Sequence, residues 1–486
     1  MKKTIGMMVA LLMILGLAAC GAEKQEATVE ESTVKESTAE EAASEETASE
    51  EATSEEAASE VATSEEATSE EAASEEAAAE GAAAEEGFQP SLDASTSCQI
   101  TVAGGYDNFE ALEAEFDRFN EYYPDVELTF TKVDDFSNMI GTVLNGNDAP
   151  DIYVNYSWMY GREQYKASID HAENLADPAL GLDLGCIRKN IILNTENGTL
   201  PMVPVFSNTY GMLVNKDLFE KEGLNIPTTY KELVEVCSAF RAKGYKNPMM
   251  GFVQKETTSI FSLVNYPYFC GSVANDAEAV KKLNSLDASA GEYMRPTLEK
   301  LVQFVNDDCV DLEACKAIEN NYDAVILRFF EGDVPMMACS GDTVSGTKKR
   351  ESRSEAFIAK PFAYAFAPIP VTDEGSYFLD MPNLQFSVNK DSANLAMANE
   401  FMRFLITTPE LNEMAQNKGL MSPTKDLSFN NMYAEFGAVP ESRILSPEVI
   451  GLTDDAVIQL RMAGYLVATG EMTIDEAIEN YGSFTS

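Results

Sequence analysis

Hydrophobic residues between positions 98 and 155 follow two spacings. Apolar side chains recur at every second position in residues 98–102 and 126–130, which is typical of strands. They recur at steps of three and four over residues 109–123 and 136–144, which predicts amphipathic helices. Residues 151–155 are a third, apolar strand. This β-α-β-α-β order predicts a parallel sheet with helices on its faces, and therefore an α/β fold.

The loops that follow these strands leave the predicted sheet at one edge. Tyr106 and Asp107 follow the first strand, and Asn155, Trp158 and Tyr160 lie where the third strand ends. Ligands of parallel α/β sheets bind beyond the carboxyl ends of the strands. Trp158 is the only tryptophan among 486 residues. Its place at a strand exit makes it a candidate for contact with a ligand rather than with the core.

The remaining chain repeats these patterns and is too long for one core. Residues 204–214 and 334–339 are predicted to be extended. Capping boxes at Thr229–Glu232 and Thr473–Glu476 predict helix starts. The folded part of the chain, about 390 residues, should form two lobes. Further helices are predicted over residues 229–243, 296–305, 322–330 and 394–406.

The first twenty residues predict secretion and a lipid anchor. Lys2 and Lys3 precede a short apolar run over residues 5–17, as in a secretory signal peptide. Cys20 follows Leu17-Ala18-Ala19 directly, which resembles the bacterial lipoprotein signal, in which the cysteine is acylated. Residues 1–19 are therefore predicted to be the signal peptide and Cys20 the lipidated residue. The alternative is an ordinary signal peptide with an incidental cysteine.

Residues 20–97 are predicted to be a lipidated cysteine followed by a disordered spacer. Residues 44–78 repeat a five-residue unit of Ser, Glu and Ala or Thr, with little variation. A five-residue period does not place apolar side chains along one face of a helix. The segment also has too few large apolar residues to form a core. The alternative is an acidic tail that binds a specific partner.

Charge and cysteine content exclude several classes of function. The net charge is −47, and outside residues 1–97 there remain 57 acidic and 30 basic side chains. Such a surface disfavours nucleic acid and anionic membranes as partners. The seven cysteines after Cys20 include no C-x-x-C, and His171 is the only histidine, so neither a metal site nor a cofactor is predicted. These cysteines are expected mainly as small buried hydrophobic residues.

Enzyme signatures are weak. Neither G-x-S-x-G nor H-E-x-x-H occurs in the chain. Residues 341–348 approach a phosphate loop, but the lysine stands one position late. A glycosidase needs only two carboxylates at a fixed separation, so a secreted carbohydrate-active enzyme stays open as an alternative.

Three segments together resemble a known family. Residues 197–237 read NGTLPMVPVFSNTYGMLVNKDLFEKEGLNIPTTYKELVEVC, residues 329–343 FFEGDVPMMACSGDT, and residues 386–410 FSVNKDSANLAMANEFMRFLITTPE. In this order and spacing they resemble the extracellular solute-binding proteins of bacterial ABC importers, in the branch that mostly binds sugars (family 1). The resemblance runs from about residue 100 to residue 484. Val214 stands where this family usually has a tyrosine.

The resemblance implies a two-lobed fold of the periplasmic-binding-protein type (type II), with a ligand cleft between lobes joined by hinge segments. The crossings are implied near residues 207–211, 336–340 and 389–392. The implied division is 98–207 for the first part of lobe 1, 208–335 for the first part of lobe 2, 336–390 for a return to lobe 1, and 391–486 for a C-terminal helical segment mostly in lobe 2.

The resemblance also implies a set of ligand-binding residues. Aromatic rings pack on the C–H faces of a sugar, and amides and carboxylates pair with its hydroxyls. Tyr266 and Tyr268 fit a core position equally well. A single Trp argues against a long oligosaccharide. The implied ligand contacts are Tyr106, Asp107, Asn155, Trp158, Tyr160, Asn208, Tyr210, Glu256, Tyr266, Tyr268, Asp342, Asp380 and Asn383.

The function implied is that of a receptor and not an enzyme. A monomer, lipid-anchored on the extracytoplasmic face of the cell membrane, would bind a mono- or short oligosaccharide and deliver it to the permease of an ABC transporter. Within the binding class, the alternative ligand is a peptide, an amino acid or a polyamine.

Overall fold

The computed structural model describes residues 88–486, except residues 108, 161, 196, 256–258, 320, 428–431 and 486. The predicted signal peptide, the lipidated Cys20 and the repeat lie outside the described residues, and so does Glu256.

Fifteen strands lie in the described part of the chain. Most are short, and the longest belong to two separate sheets. The strands are β1 Cys98–Gly104, β2 Val126–Lys132, β3 Ile152–Asn155, β4 Val203–Pro204, β5 Ser207–Asn208, β6 Tyr210–Asn215, β7 Met249–Met250, β8 Met336–Ser340, β9 Tyr364–Ala367, β10 Pro370–Thr372, β11 Gly375–Ser376, β12 Phe378–Leu379, β13 Met381–Pro382, β14 Gln385–Val388 and β15 Ile444–Leu445.

Eighteen α-helices accompany the strands in the same described ranges. The helices are α1 Glu110–Asn120, α2 Phe136–Leu144, α3 Lys166–Asp170, α4 Lys216–Glu222, α5 Tyr230–Ala242, α6 Ile260–Val273, α7 Ala277–Asn284, α8 Arg295–Asn306, α9 Leu312–Lys316, α10 Tyr322–Phe330, α11 Gly341–Ser345, α12 Thr347–Glu351, α13 Glu355–Ala359, α14 Leu395–Leu405, α15 Thr408–Lys418, α16 Pro447–Ile450, α17 Asp454–Ala468 and α18 Ile474–Glu479.

The sheet of lobe 1 has the strand order β2-β1-β3-β14-β4. β1 pairs in parallel with β2 and β3, as the β-α-β-α-β pattern predicts. β14 then adds antiparallel to β3 and β4, although 180 or more residues of chain separate it from each of them. The hydrophobic stripe of α1 is buried against this sheet, with Leu112 and Phe119 fully inaccessible to solvent.

The sheet of lobe 2 has the order β7-β8-β6-β9. β6 is antiparallel to both β8 and β9, and β7 is parallel to β8. Both predicted capping boxes are present. The Thr229 hydroxyl accepts from the backbone N–H of Glu232 at the start of α5, and Thr473 and Glu476 do the same at α18.

Three chain segments cross between the lobes side by side. The first contains β5, the second contains β13, and β5 and β13 pair antiparallel through Asn208–Met381 and Ser207–Pro382. The third begins at Met421, whose carbonyl accepts the N–H of Ser207 at 2.9 Å.

The other two crossings differ from the sequence-based positions. Residues 336–340 form β8, which lies inside the sheet of lobe 2 because it pairs with β6 along its whole length. Residues 389–392 follow β14 within lobe 1, where the N–H of Asn389 donates to the carbonyl of Asp151 at 2.8 Å. The crossings lie instead at β13 and at Met421. This assignment depends on pairing between strands that are distant in sequence. Short sequence motifs contain no information on such pairing.

The division of the chain shifts accordingly. β8 and β9 extend lobe 2 beyond residue 335, and α14 and α15 contribute Met402, Leu411 and other side chains to the core of lobe 1. The segment 391–486 is therefore divided between the lobes. Its first helices belong to lobe 1, and α16 to α18 contribute to lobe 2.

The last residues assigned to the spacer pack on lobe 1. The Phe88 ring is buried and meets the Phe404 ring edge to face at 5.4 Å. The backbone N–H and the hydroxyl of Ser91 both donate to the carboxylate of Glu400 at 2.6 Å. Residues 88–91, about ten residues before β1, therefore belong to the packed surface of lobe 1.

Cysteine packing agrees with the sequence analysis. The seven cysteines after Cys20 are free thiols, and all but Cys98 are buried. No group of three or more histidine, cysteine, aspartate or glutamate side chains in the described ranges could hold a metal ion. Within the same ranges, every helix is too short or too polar to cross a lipid bilayer.

A buried ion pair joins the three crossings. The Arg188 guanidinium donates to Asp380 through Nε at 2.6 Å and through Nη2 at 2.8 Å. Nη2 also donates to the Ser207 hydroxyl at 2.6 Å, and Nη1 donates to the carbonyls of Ser422 and Thr424. Asp380, Ser207 and Ser422 belong to different crossings, so one side chain holds all three together.

Replacing Asp380→Asn is expected to destabilise the protein strongly. The change would leave the Arg188 charge buried without its counter-ion, which typically costs about 3–5 kcal/mol. The free energy of unfolding from urea titration measures the loss. Asp134→Asn, at an exposed partner of Lys132, is the matched control and should leave the unfolding midpoint unchanged. A normal midpoint for Asp380→Asn would show that the ion pair does not hold the crossings.

Candidate functional site

A cleft with a volume of about 1250 Å³ lies between the two lobes. Both lobes contribute to its lining, together with the crossing strand β13. The lining residues are Ser157, Trp158, Tyr160, Arg162, Ile192, Leu193, Asn194, Thr195, Pro201, Met202, Tyr210, Tyr266, Met381, Pro447, Glu448, Val449, Gly451, Leu452, Thr453, Asp454, Asp455 and Val457.

The wall on lobe 1 is the loop that follows β3. A 3-10 turn over Ser157–Met159 buries Met159 and turns Trp158 and Tyr160 outward, where they are 41% and 44% exposed. The Trp158 ring stacks on Tyr156 at 5.8 Å and meets the edge of Tyr165 at 5.1 Å. Two aromatic neighbours therefore fix the orientation of the indole while much of its surface remains accessible in the cleft.

The wall on lobe 2 combines tyrosines with the short helix α16. The rings of Tyr210 in β6 and Tyr266 in α6 lie 6.2 Å apart. Val449 of α16 is 63% exposed. Of seven exposed large hydrophobic side chains in the described part of the chain, three line the cleft: Trp158, Tyr160 and Val449. This concentration marks the cleft as a binding surface.

Glu448, beside Val449, is a carboxyl group whose pKa the cleft raises. Its side chain is accessible to solvent in the cleft but enclosed by the cleft walls. Loss of solvation, together with the nearby charges of Asp380 and Asp454, raises the pKa of Glu448 to about 7. Near neutral pH this carboxyl group is therefore partly protonated, so it can donate a hydrogen bond to a ligand in its acid form and accept hydrogen bonds in its carboxylate form.

An ion pair spans the cleft. Arg162, in the loop of lobe 1, pairs with Asp454, which is the first residue of α17 in lobe 2. The Arg162 guanidinium also lies 5.6 Å from the centre of the Trp158 ring. Both charged side chains are substantially exposed, so water screens their attraction and the pair contributes little to stability.

Four residues implied by the sequence come together in the cleft: Trp158, Tyr160, Tyr210 and Tyr266. Arg162, Glu448 and Val449 also line the cleft, although the sequence did not predict them. Ser446-Pro447-Glu448 reads as an ordinary helix start, since Ser446 caps α16 and Pro447 is its first residue. Only the approach of α16 to lobe 1 brings Glu448 into the cleft, and no local pattern contains that information.

Other implied residues have structural partners outside the cleft lining. Asp380 is fully buried and paired with Arg188. Asn155 is also fully buried, and its amide donates to the Ser168 carbonyl at 3.1 Å and to the Ser387 hydroxyl at 3.0 Å. Both side chains hold neighbouring segments together.

Three more implied residues bond to one another. The amide of Asn383 donates to Asp342 Oδ1 at 2.8 Å, and the amide of Asn208 donates to Asp342 Oδ2. Asn208 and Asn383 belong to two crossings and Asp342 to α11 of lobe 2. The group therefore connects the crossings with lobe 2 and does not line the cleft.

The remaining implied residues also lie outside the lining. The Tyr106 ring lies 4.7 Å from the Lys418 ammonium, and Asp107 is an exposed partner of Lys132. Tyr268 packs half-buried against the core of lobe 2. The carboxyl edge of the sheet thus holds Tyr106 and Trp158, as the sequence analysis expected, but only the Trp158 loop reaches the cleft.

Two α/β lobes, joined by three crossings around an aromatic cleft, define the class of two-lobed ligand-binding proteins. Residues 103–410 match the bacterial extracellular solute-binding protein family, and the chain belongs to that family. This confirms the resemblance and the two-lobed fold. The protein is therefore an extracellular solute receptor and not an enzyme.

Solved structures agree with this fold. RafE from Streptococcus pneumoniae, in its apo form, is 17% identical, with a TM-score of 0.57, covering 82% of this chain and 98% of its own. MalE from Xanthomonas citri, a sugar-binding protein, is 15% identical, with a TM-score of 0.60 and coverages of 79% and 95%. A sugar transporter protein from Bacillus licheniformis in complex with stachyose is 17% identical, with a TM-score of 0.51 and coverages of 79% and 98%. Comparison with curated proteins gave no match.

Replacing Trp158→Ala is expected to weaken ligand binding by at least about tenfold. The free energy of unfolding of the unliganded protein should fall by less than the roughly 3–5 kcal/mol typical of a fully buried aromatic residue, because 41% of the side chain is exposed. Calorimetric titration and urea unfolding measure the two effects. Phe206→Ala, at a fully buried position, is the control for a core aromatic residue. Normal affinity combined with a core-sized loss of stability would contradict a binding role for Trp158.

Proposed function

We propose that the protein is a lipid-anchored receptor that binds a mono- or short oligosaccharide and delivers it to the permease of an ABC transporter. The observation that carries this proposal is the pair of exposed rings, Trp158 and Tyr160, facing a cleft that also presents Tyr210 and Tyr266. Flat aromatic surfaces beside polar groups suit the C–H faces and the hydroxyl edges of a sugar.

The polar groups needed for hydroxyl recognition are present in the same cleft. Asn194 and Thr195 come from lobe 1, and Glu448 and Thr453 come from lobe 2. Because both lobes supply polar groups, a ligand that contacts both would stabilise the closed arrangement relative to an open one. Closure around the ligand is the signal that a permease would recognise.

The size of the cleft supports a ligand larger than one sugar ring. Its volume of about 1250 Å³ exceeds the usual range of about 300–1,000 Å³ for small-molecule pockets. Among proteins of similar fold, RafE is known in complex with raffinose and the Bacillus licheniformis protein in complex with stachyose. Both ligands are short oligosaccharides, and the single Trp of this chain agrees with a ligand of such modest length.

The acidic lining favours a polyamine as the second candidate ligand. Glu448, Asp454 and Asp455 face the cleft, and Arg162 is the only basic residue among the described lining residues. A polyamine would pair with these carboxylates but would leave the exposed rings with fewer partners than a sugar. The aromatic surface therefore makes the sugar the preferred ligand.

A panel of neutral saccharides, amino acids, peptides and polyamines tests the proposal. Because Trp158 is the only tryptophan, all indole fluorescence reports on the cleft. A bound saccharide should shift or quench this emission and be recovered unchanged. At 100 times its dissociation constant it should add about 2.7 kcal/mol to the free energy of unfolding. Binding of polyamines or peptides alone would contradict a sugar ligand, and conversion of the saccharide would contradict a receptor.

Replacing Cys20→Ser tests the lipid anchor. Without the thiol no acyl chain can be attached, so the variant should move from the membrane fraction to the medium or remain an unprocessed precursor. Fractionation and mass spectrometry of the N-terminal peptide measure this. Cys98→Ser, at the start of β1, is the control and should remain membrane-bound. Lipid-modified, membrane-bound Cys20→Ser protein would contradict the anchor.

A further inference from the structure

One side of helix α5 packs against the turn that follows α8. Tyr230, Cys237 and Arg241 are seven and four positions apart, so they lie along the same side of the helix. The turn consists of residues 307–309, which begin directly after the last residue of α8. The three side chains are therefore positioned to contact one neighbouring segment together.

Two polar contacts hold α5 to the turn, one on each side of Cys237 along the helix. The Tyr230 hydroxyl donates to Asp307 Oδ2 at 2.7 Å. The Arg241 guanidinium donates through Nη2 to the Asp308 carbonyl at 2.5 Å, and the same nitrogen lies 3.3 Å from Asp308 Oδ1. Because Cys237 lies between these contacts, its side chain is held against the turn.

The backbone at Cys309, the last residue of the turn, is fixed on both sides. Asp308 adopts a left-handed conformation with a φ of 57°, which is uncommon for a residue other than glycine. Its carbonyl and its carboxylate are both bound by Arg241. After Cys309, Val310 forms a parallel bridge with Met249 of β7. Cys309 is therefore attached to α5 through one neighbour and to the sheet of lobe 2 through the other.

The thiols of Cys237 and Cys309 meet inside lobe 2. Their side chains are 1% and 0% exposed and belong to the same hydrophobic cluster. The two thiols interact directly, and this interaction, together with burial, raises the pKa of Cys237 above its ordinary value. Two thiols in contact can do what a single buried cysteine cannot, which is to form a covalent bond with each other.

The location of the protein favours such a bond. The chain belongs to an extracellular family, and disulfides form and persist in extracellular compartments. Cys237 and Cys309 are 72 positions apart, and the segment between them contains α6 with Tyr266, which lines the cleft. A bond between the two cysteines would close this segment into a loop and so restrict the unfolded chain.

We propose that Cys237 and Cys309 are an oxidation site, and that they form an intramolecular disulfide when the chain folds in the presence of an external disulfide. One cysteine, as its thiolate, attacks a sulfur of the external disulfide and releases one thiolate from it. The other cysteine then attacks the resulting mixed disulfide, forms the Cys237–Cys309 bond and releases the second thiolate. The two protons of the cysteine thiols pass to the two released thiolates. The cysteines lose two electrons, and the external disulfide gains them.

The timing of this exchange follows from burial. The thiolate is the reactive form of cysteine, and a thiol enclosed in apolar surroundings seldom ionises. Exchange therefore takes place before the core of lobe 2 is complete, and the finished bond is then protected by the same burial. Neither cysteine lines the cleft, so the inference does not depend on which ligand the protein binds.

Refolding in two redox buffers tests the proposal. The full chain is unfolded in urea with dithiothreitol, and after removal of the urea it is refolded either with dithiothreitol or with oxidised and reduced glutathione in its place. Alkylation and peptide mapping by mass spectrometry, without reduction, should show the Cys237 and Cys309 peptides linked only after refolding in glutathione. The linked protein should melt at least about 3 °C above the reduced protein, because its unfolded state is restricted.

Two variants at buried cysteines separate the bond from ordinary core packing. Cys237→Ala removes one partner, so its melting temperature should be the same in both buffers. Cys315→Ala is the matched control, because Cys315 is fully buried in lobe 2 but belongs to a different hydrophobic cluster. This variant should keep the linked peptide and the rise in melting temperature in glutathione. Export of the full chain into an oxidising periplasm, followed by direct alkylation, gives the same peptide readout without a refolding step.

Each other outcome overturns the proposal. If Cys237 and Cys309 remained free thiols in glutathione and after export, they would be ordinary core residues. Mixed disulfides with glutathione, or linkage of either cysteine to another one at a comparable yield, would show that packing does not select this pair. A rise in melting temperature that persisted in Cys237→Ala would assign the stabilisation to a different bond. None of these results would affect the proposed sugar receptor.

Discussion

The two-lobed arrangement depends on the ion pair between Arg188 and Asp380. Removing both charges from water is costly, and the cost is offset only when the geometry is good and every donor is used. Arg188 meets this condition, because its five N–H groups make five hydrogen bonds, to Asp380, Ser207, Ser422 and Thr424. Three crossings that are far apart in sequence are thereby fixed at one point. The cleft exists because the lobes meet there and separate elsewhere.

A hinge motion of the two lobes would leave this constraint intact. In a hinge motion the displacements are smallest near the axis and largest at the rims. The short pair β5–β13 and the Arg188 cluster lie at the crossings, so their hydrogen bonds can persist as the cleft opens. The pair between Arg162 and Asp454 lies across the cleft and is exposed to water. Breaking it would therefore cost little if the cleft opened.

The sequence predicted what local periodicity determines. The stripe of α1, the parallel β1–β2 and β1–β3 pairs and both capping boxes are interactions within short stretches or between successive elements. It could not predict features that depend on distant contacts. Asp380 has a carboxylate of the kind that binds sugar hydroxyls. Both of its oxygens nevertheless accept hydrogen bonds from Arg188, which lies 192 residues earlier in the chain. Polar residues at a hinge and polar residues in a cleft have the same composition, and only tertiary structure distinguishes them.

The position of Trp158 shows how the two kinds of information combine. Trp158 follows the end of a parallel strand, which is a feature of the local sequence. This position places the ring at the ligand-binding edge of the sheet. What makes the ring available is the neighbouring turn, which buries Met159 and packs Tyr156 and Tyr165 against the indole. A ring fixed in this way loses little freedom when a ligand binds, so more of the contact energy appears as affinity. Opposite it, Val449 and Glu448 come from a helix nearly 300 residues later, and the fixed crossings allow these two walls to act as one site.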